Sequence, residues 1–193
     1  MSAEQVGTGQ RRGSGEACAW VVRGEPGGGE LEGGTSFVDF NLDNDVVTLG
    51  WGDWAVDAPV AAFNDMEMLD RCTQQWSAIN WEPDWKESFK REAPWCIWRF
   101  CNEIYIGDIV VLPPKGERWI AIGEVTGAAE RDGSQDPGAR LYRPVKWLAK
   151  RKSRVVVPGD LLSSINSQGT IFRPGADDHS RRTKFFRALQ DLV

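Results

Sequence analysis

The sequence predicts a small β-barrel of the α+β class with flanking helices. Three observations predict it: short β-rich runs recur along the chain, helical periods are confined to a few interposed segments, and no internal repeat is visible. At 193 residues, 41% hydrophobic and 26% charged, the chain is long enough to bury its own core without disulfides or a metal.

The elements follow in order. Residues 1–16 are polar and Gly-rich and are expected to form a disordered tail ahead of one folded domain, 17–193. Ala17 to Arg23 is an uninterrupted apolar run rich in β-formers, expected as a first strand buried on both faces. A Gly/Glu loop covers Gly24 to Gly34. Phe37 to Phe40 alternates like a short strand, and Val46 to Trp51 reads as another, ending at the turn Gly50-Trp51-Gly52-Asp53-Trp54. Residues 59–103 read as helical: Met66, Leu69, Cys72 and Trp76 carry one period and a second segment runs from about Glu82 to Glu92. Pro94 is expected to end that segment and to open a new helix, Trp95 to Ile104. Strands then dominate. Asp108 to Leu112 and Trp119 to Thr126 flank a Lys-Gly turn and predict a hairpin. Residues 128–139 read as a polar loop, Leu141 to Leu148 as a strand, and Arg154 to Pro158 as a strand or strand edge. Leu161 to Ile165 reads as a short helix and Thr170 to Phe172 as the last strand. A final helix, Ser180 to Leu192, is capped by Asp177 or Asp178.

Charge is unevenly placed. Residues 1–139 carry 11 Lys+Arg against 24 Asp+Glu, and residues 140–193 carry 12 against 4. A basic final third on an acidic protein suits a polyanion approached from one side, or a solvated face that balances an acidic half. The four cysteines form no C-x-x-C pair, and His179 lies far from all of them. A structural zinc site draws on closely spaced ligands. Reduced, mostly buried thiols are therefore expected, with no metal and no cofactor. No apolar run approaches a membrane span and no apolar leader opens the chain, so the cytoplasm is the expected compartment.

From Trp98 to Phe172 the chain reads W-R-F-C-N-E-I-Y-I-G-D-I-V-V-L-P, then W-I-A-I-G-E-V-T-G, then Y-R-P-V-K-W-L, then L-L-S-S-I-N-S-Q-G-T-I-F. That series resembles the PUA-like domain at the N-terminus of Mrr-type modification-dependent restriction endonucleases, a relative of the EVE, YTH and ASCH domains. Trp20-Val21-Val22-Arg23 and the run from Val46 to Asp53 resemble its first two strands, so the likeness spans about residues 20–172. The resemblance implies a β-barrel whose pocket accepts a flipped, modified base in DNA, with 5-methylcytosine first among the candidates. A nuclease or ATPase is expected from another chain. RNA binding or processing of the ASCH or PUA type is the alternative.

A reader of this kind extrudes its base at a few kcal/mol, and aromatic stacking returns about 1–3 kcal/mol per base. A buried methyl adds roughly 0.8 kcal/mol, so a close-fitting wall must sharpen the discrimination. The turn at Gly50–Trp54 is the expected pocket, because the resemblance places it at the barrel mouth; an ordinary strand-end turn, with Asp53 capping backbone N–H groups, is the alternative. Trp51 or Trp54 would stack, Asp53 would accept from an exocyclic amine, and Gly52 would let backbone approach the base. Trp20 is a further candidate wall, with a core role as its alternative. Arg23, Arg99, Asn102, Arg143, Lys146, Lys150, Arg151, Lys152 and Arg154 are the expected nucleic-acid contacts; a helix face packed on the barrel, with Arg99 pairing Glu103, is the alternative for Arg99 and Asn102, and a basic solvated loop is the alternative for Lys150 to Lys152. Arg181, Arg182, Lys184 and Arg187 on the last helix could extend that surface.

No catalytic constellation accompanies these residues. Asp84-Trp85-Lys86, after Pro83, fits a short nuclease string but falls in a helical segment, and Pro144-Val145-Lys146 lacks the acid. His179 follows two aspartates, where a helix cap explains it better than a triad does. No P-loop and no G-x-G-x-x-G occurs. The expected protein is a binding module and not an enzyme.

Overall fold

The computed structural model describes residues 3–7, 9–10, 17–23, 36–49, 58–80, 87–135, 139–166, 169–175 and 178–193. In chain order these form β1 (Glu4–Gln5), β2 (Ala19–Val22), α1 (Phe37–Asp43), β3 (Val46–Thr48), a 3₁₀ turn at Val60–Asn64, α2 (Met66–Asn80), α3 (Glu87–Asn102), β4 (Ile109–Leu112), β5 (Trp119–Val125), β6 (Glu130–Arg131), β7 (Leu141–Ser153), a 3₁₀ turn at Arg154–Val156, α4 (Gly159–Ile165), β8 (Ile171–Phe172) and α5 (His179–Gln190).

The strands make one sheet in the order β1-β6-β7-β5-β4-β2-β8, with β3 paired to β7. Only β2 and β4 run parallel among these pairs. The long β7 meets β3 and β6 over its first residues and β5 over the rest. Register shifts around Ile120 to Gly123 bend the β5–β7 ladder. The result is a curled half-barrel within a mixed α+β fold, with five α-helices among the described residues.

The continuous apolar reading of β2 has a structural cause. Trp20 and Val22 pack with Val110 into a core completed by Ile97 and Phe100 of α3 and by Val145. Ala19 and Val21 face the other way, packing with Ile109, Val111, Ile120 and Ile122 under Leu161 and Ile165 of α4 and Phe185 and Leu189 of α5. Both faces of this part of the sheet are covered, so alternation is lost from the sequence.

Several expectations are corrected. Phe37 to Phe40 is not a strand: Ser36 Oγ accepts from the Asp39 backbone N–H and donates to the Asp39 carboxylate, and this cap starts α1. Pro94 does not divide two helices, because α3 runs through it. The strand expected to end at Leu148 continues to Ser153, and Arg154 to Val156 turn as a 3₁₀ helix. Within the presumed tail, Glu4 and Gln5 pair with Arg131 and Glu130, and Val6 is buried. Glu130–Arg131 within the expected polar loop is thus a strand. No helix of the described residues is long and apolar enough to cross a membrane.

Cys96 and Cys101 are buried in the α3 core and form no disulfide. Burial pushes both thiols up to about 12 from an ordinary 9.0, opposed at Cys96 by Arg99 and at Cys101 by Arg143. The folded-state values lie above the unfolded ones, so the stabilising contribution is complete below pH 9 and is lost as the pH rises towards 12. Arg143, held down to about 10, acts in the opposite direction above that value, which leaves pH 9 to 10 as the cleanest window. Denaturant midpoints should therefore fall across that window. Native protein should react with a thiol reagent at the half-exposed Cys18 and Cys72 well before the buried pair. A flat midpoint together with equal reactivity of all four thiols would contradict this.

Candidate nucleic-acid interface

The expected base pocket, Trp51, Gly52, Asp53 and Trp54, lies outside the described residues. Its root is described. β3 leads to Leu49, whose N–H donates to Leu141 O at the first residue of β7. Just before this point, the fully buried Asn41 Oδ1 accepts from the Thr48 N–H, while Asn41 Nδ2 and the buried Thr48 Oγ1 find no partner. Buried polar groups are seldom left in this state.

The solvent face of β7 carries the surface cations. Beyond Val145 the strand leaves the core: Lys146, Leu148, Lys150 and Arg151 are exposed and Lys152 is half-buried, along a stretch in which the register with β5 shifts twice. Lys150 pairs with Asp45 at 3.2 Å. Arg151 pairs with Asp39 at 2.9 Å and lies over the Trp119 ring at 5.3 Å. Exposed pairs of this kind are weak and exchange readily with another anion. Among the described residues, Lys146 and Lys152 make no ion pair.

The row ends at a cleft of about 340 Å³ lined by Arg23, Arg154, Lys115, Asn166 and the Pro113–Gly116 turn. Arg154 follows the last residue of β7. Its Nε donates to Trp119 O at 3.2 Å, Nη2 to Pro114 O at 3.0 Å and Nη1 to Asn166 Oδ1 at 3.1 Å. Arg23 follows β2 and donates from Nη1 to Gly169 O and from Nη2 to Ile165 O, both at 3.1 Å, with its guanidinium 5.8 Å from the Phe172 ring centre. Burial lowers both pKa values, and repulsion from Arg154 lowers that of Arg23 further. Backbone carbonyls hold the two guanidiniums close enough to repel, and no carboxylate lines the cleft among the described residues. A cluster of cations of this kind suits an anion.

Arg143 and Asn102, expected as contacts, are held by backbone carbonyls, and Trp20 takes its core alternative. Arg143 faces the core with Leu141 and Val145 and is fully buried. Its Nε donates to Phe100 O at 2.6 Å, Nη2 to Cys101 O at 2.9 Å and Nη1 to Gly127 O at 3.0 Å. The first two are carbonyls of the last turn of α3, which lack helical donors. Trp20 is 1% exposed, and its Nε1 donates to Asp108, so it is a core residue and not a pocket wall. Asn102 Nδ2 donates to Phe63 O at 2.6 Å and Trp98 O at 3.1 Å, tying α3 to the 3₁₀ turn. Arg99 is half-buried beside Cys96.

Arg23 and Arg154, far apart in sequence, are thus brought together, while Leu49, bonded to Leu141, and Arg154 stand at opposite ends of β7. Lys115 and Asn166 join the cleft without having been expected there. The hairpin turn was legible at Lys115 and Gly116, but what it would face was not. No group of three potential metal ligands comes together among the described residues.

Fold and cleft together define a small α+β protein with a curled sheet and a cationic face on an acidic body. The family described as a domain of unknown function, DUF8426, matches residues 29–173, and the chain belongs to that family. No curated protein and no solved structure matches the chain.

Proposed function

We propose that the protein is a PUA-like reader of modified DNA that binds duplexes containing 5-methylcytosine and takes the modified base into the turn at Trp51–Trp54. The observation that carries this reading is the cationic row of β7 running into the Arg23–Arg154 cleft, on a chain whose net charge is −5. A phosphate backbone laid along β7 would meet Lys146, Lys150 and Lys152 in turn and would place a phosphate at the cleft. In this reading strand cleavage belongs to a nuclease partner in trans, an ATPase being the alternative partner, and the protein works in restriction of modified DNA.

The double variant Lys146→Gln/Lys152→Gln alters two side chains that hold no ion pair among the described residues, so folding should be intact. Duplex affinity should fall about tenfold, and the salt dependence of binding should flatten by about one unit per lost phosphate contact. Arg154→Gln should weaken binding further. Anisotropy titrations at several salt concentrations read both quantities. Unchanged affinity and slope in both variants would remove β7 from the interface. A preference for RNA over modified duplex would replace the DNA reading with the RNA one.

A further inference from the structure

Arg23 and its cleft lie where β2 ends. Where β2 begins, at the other end of the β2–β8 ladder, a second cavity of about 640 Å³ opens between Ala17–Ala19, the Arg173–Pro174 turn and α5. The helix presents one face to it, His179, Arg182, Thr183, Phe186, Arg187 and Gln190, at the three- and four-residue spacing of a helical stripe. Phe185 and Leu189, on the adjoining face, anchor α5 to the sheet core. Gly175, at φ 68°, makes the approach possible: a Cβ there would stand 2.8 Å from Arg181 Cβ and 3.1 Å from Arg182 N.

The charged lining has one sign. Arg173, Arg182 and Arg187 line the cavity, and no carboxylate does so among the described residues. Arg173 is oriented without an acid: its Nη1 donates to Cys18 Sγ at 3.7 Å and its guanidinium lies 5.4 Å from the Trp20 ring centre. Arg182 Nε is sealed from water with no acceptor. The volume selects the class of ligand. It falls within the roughly 300–1,000 Å³ of small-molecule sites, and a bare phosphate would fill little of it. Ala17, Ala19, Pro174 and Phe186 supply apolar wall for an organic body.

We propose that this cavity is an anion site that takes a nucleoside phosphate, with the phosphate on Arg173 and Arg182 and the base or sugar against Phe186. Arginine suits the role, because its planar fork matches phosphate oxygens. The site is separate from the β7 interface and does not depend on the nucleic-acid reading.

Calorimetric titration of the full chain with ADP, pyrophosphate and adenosine tests it. ADP should bind at a single site, pyrophosphate more weakly, and adenosine not measurably. Arg182→Gln should weaken ADP by about tenfold or more, the loss expected for one charge-assisted contact, with an unchanged melting temperature. Should that variant fail to fold, Arg187→Gln, at an exposed position, should show a smaller loss in the same direction. Arg154→Gln should leave ADP binding intact, and excess duplex DNA should not displace ADP. Absence of binding by both ADP and pyrophosphate, equal binding of adenosine, wild-type affinity in both helix variants, or displacement of ADP by duplex would each overturn the proposal.

Discussion

Arg143→Met is expected to lower the stability of the protein by about 3–5 kcal/mol, the range for breaking a buried charged network from one side. Arg143 is the largest polar side chain in the core, and its guanidinium closes the C-terminal turn of α3 against β7 and the segment after β5. A helix end exposes carbonyls with no internal donor, at the negative end of the helix dipole, and a cation there satisfies both demands. Methionine matches much of the volume but leaves the Phe100, Cys101 and Gly127 carbonyls short of these donors in the interior. Burial holds the Arg143 pKa down to about 10, and the nearby Cys101 and Asp108 pull in the other direction. The side chain therefore remains a cation at neutral pH. Arg143→Lys should recover only part of the loss, because a single ammonium cannot reproduce the planar fork. Chemical denaturation measures both variants. A loss below about 1 kcal/mol in Arg143→Met, within the range of ordinary surface substitutions, would refute the clamp.

Asp108→Ala is expected to destabilise by about 2–4 kcal/mol, because it strands several buried donors together. The fully buried carboxylate accepts from the Cys18 N–H at 2.9 Å, from Trp20 Nε1 at 3.0 Å and from the Tyr105 N–H at 3.1 Å. It thereby ties the start of β2 to the turn that links α3 to β4. Asp108 also contributes to the electrostatic balance of Arg143. The double variant should consequently lose less than the two single losses combined. Strict additivity would show that the two charges do not sense one another across the core.

The parts of the fold legible in the sequence were those in which local chemistry and tertiary context agree. β2 read as a doubly buried strand because its run is apolar throughout. The β4–β5 hairpin read from its Lys-Gly turn, and α5 from the Asp178 cap. The failures have identifiable causes. Four alternating residues at Phe37 to Phe40 fit a strand and a helix equally, and only the Ser36 cap decides between them. β7 looked finished at Leu148 because its second half carries Lys and Arg; the strand continues because β5 pairs with it to Ser153. Pro94 looked like a break because helix interiors rarely hold proline.

The interface was less legible than the fold. Cation density marked β7 correctly as basic but not which cations face outward. The inward direction of Arg143 was in fact readable, since it shares a strand face with Leu141 and Val145. Composition points to a contact at Arg143, whereas the alternation points to the core. The meeting of Arg23 with Arg154 depends on β8 and α4 folding across the end of β2, which no local pattern announces.

The measurement that bears most directly on the reader hypothesis is affinity for matched duplexes that differ at one base: cytosine, 5-methylcytosine, 5-hydroxymethylcytosine and N6-methyladenine, compared at one salt concentration. Anisotropy should show the 5-methylcytosine duplex binding tightest, with the preference abolished in Trp51→Ala or Asp53→Ala while the salt-dependent binding along β7 persists. Equal, weak binding to all four duplexes would contradict the reading.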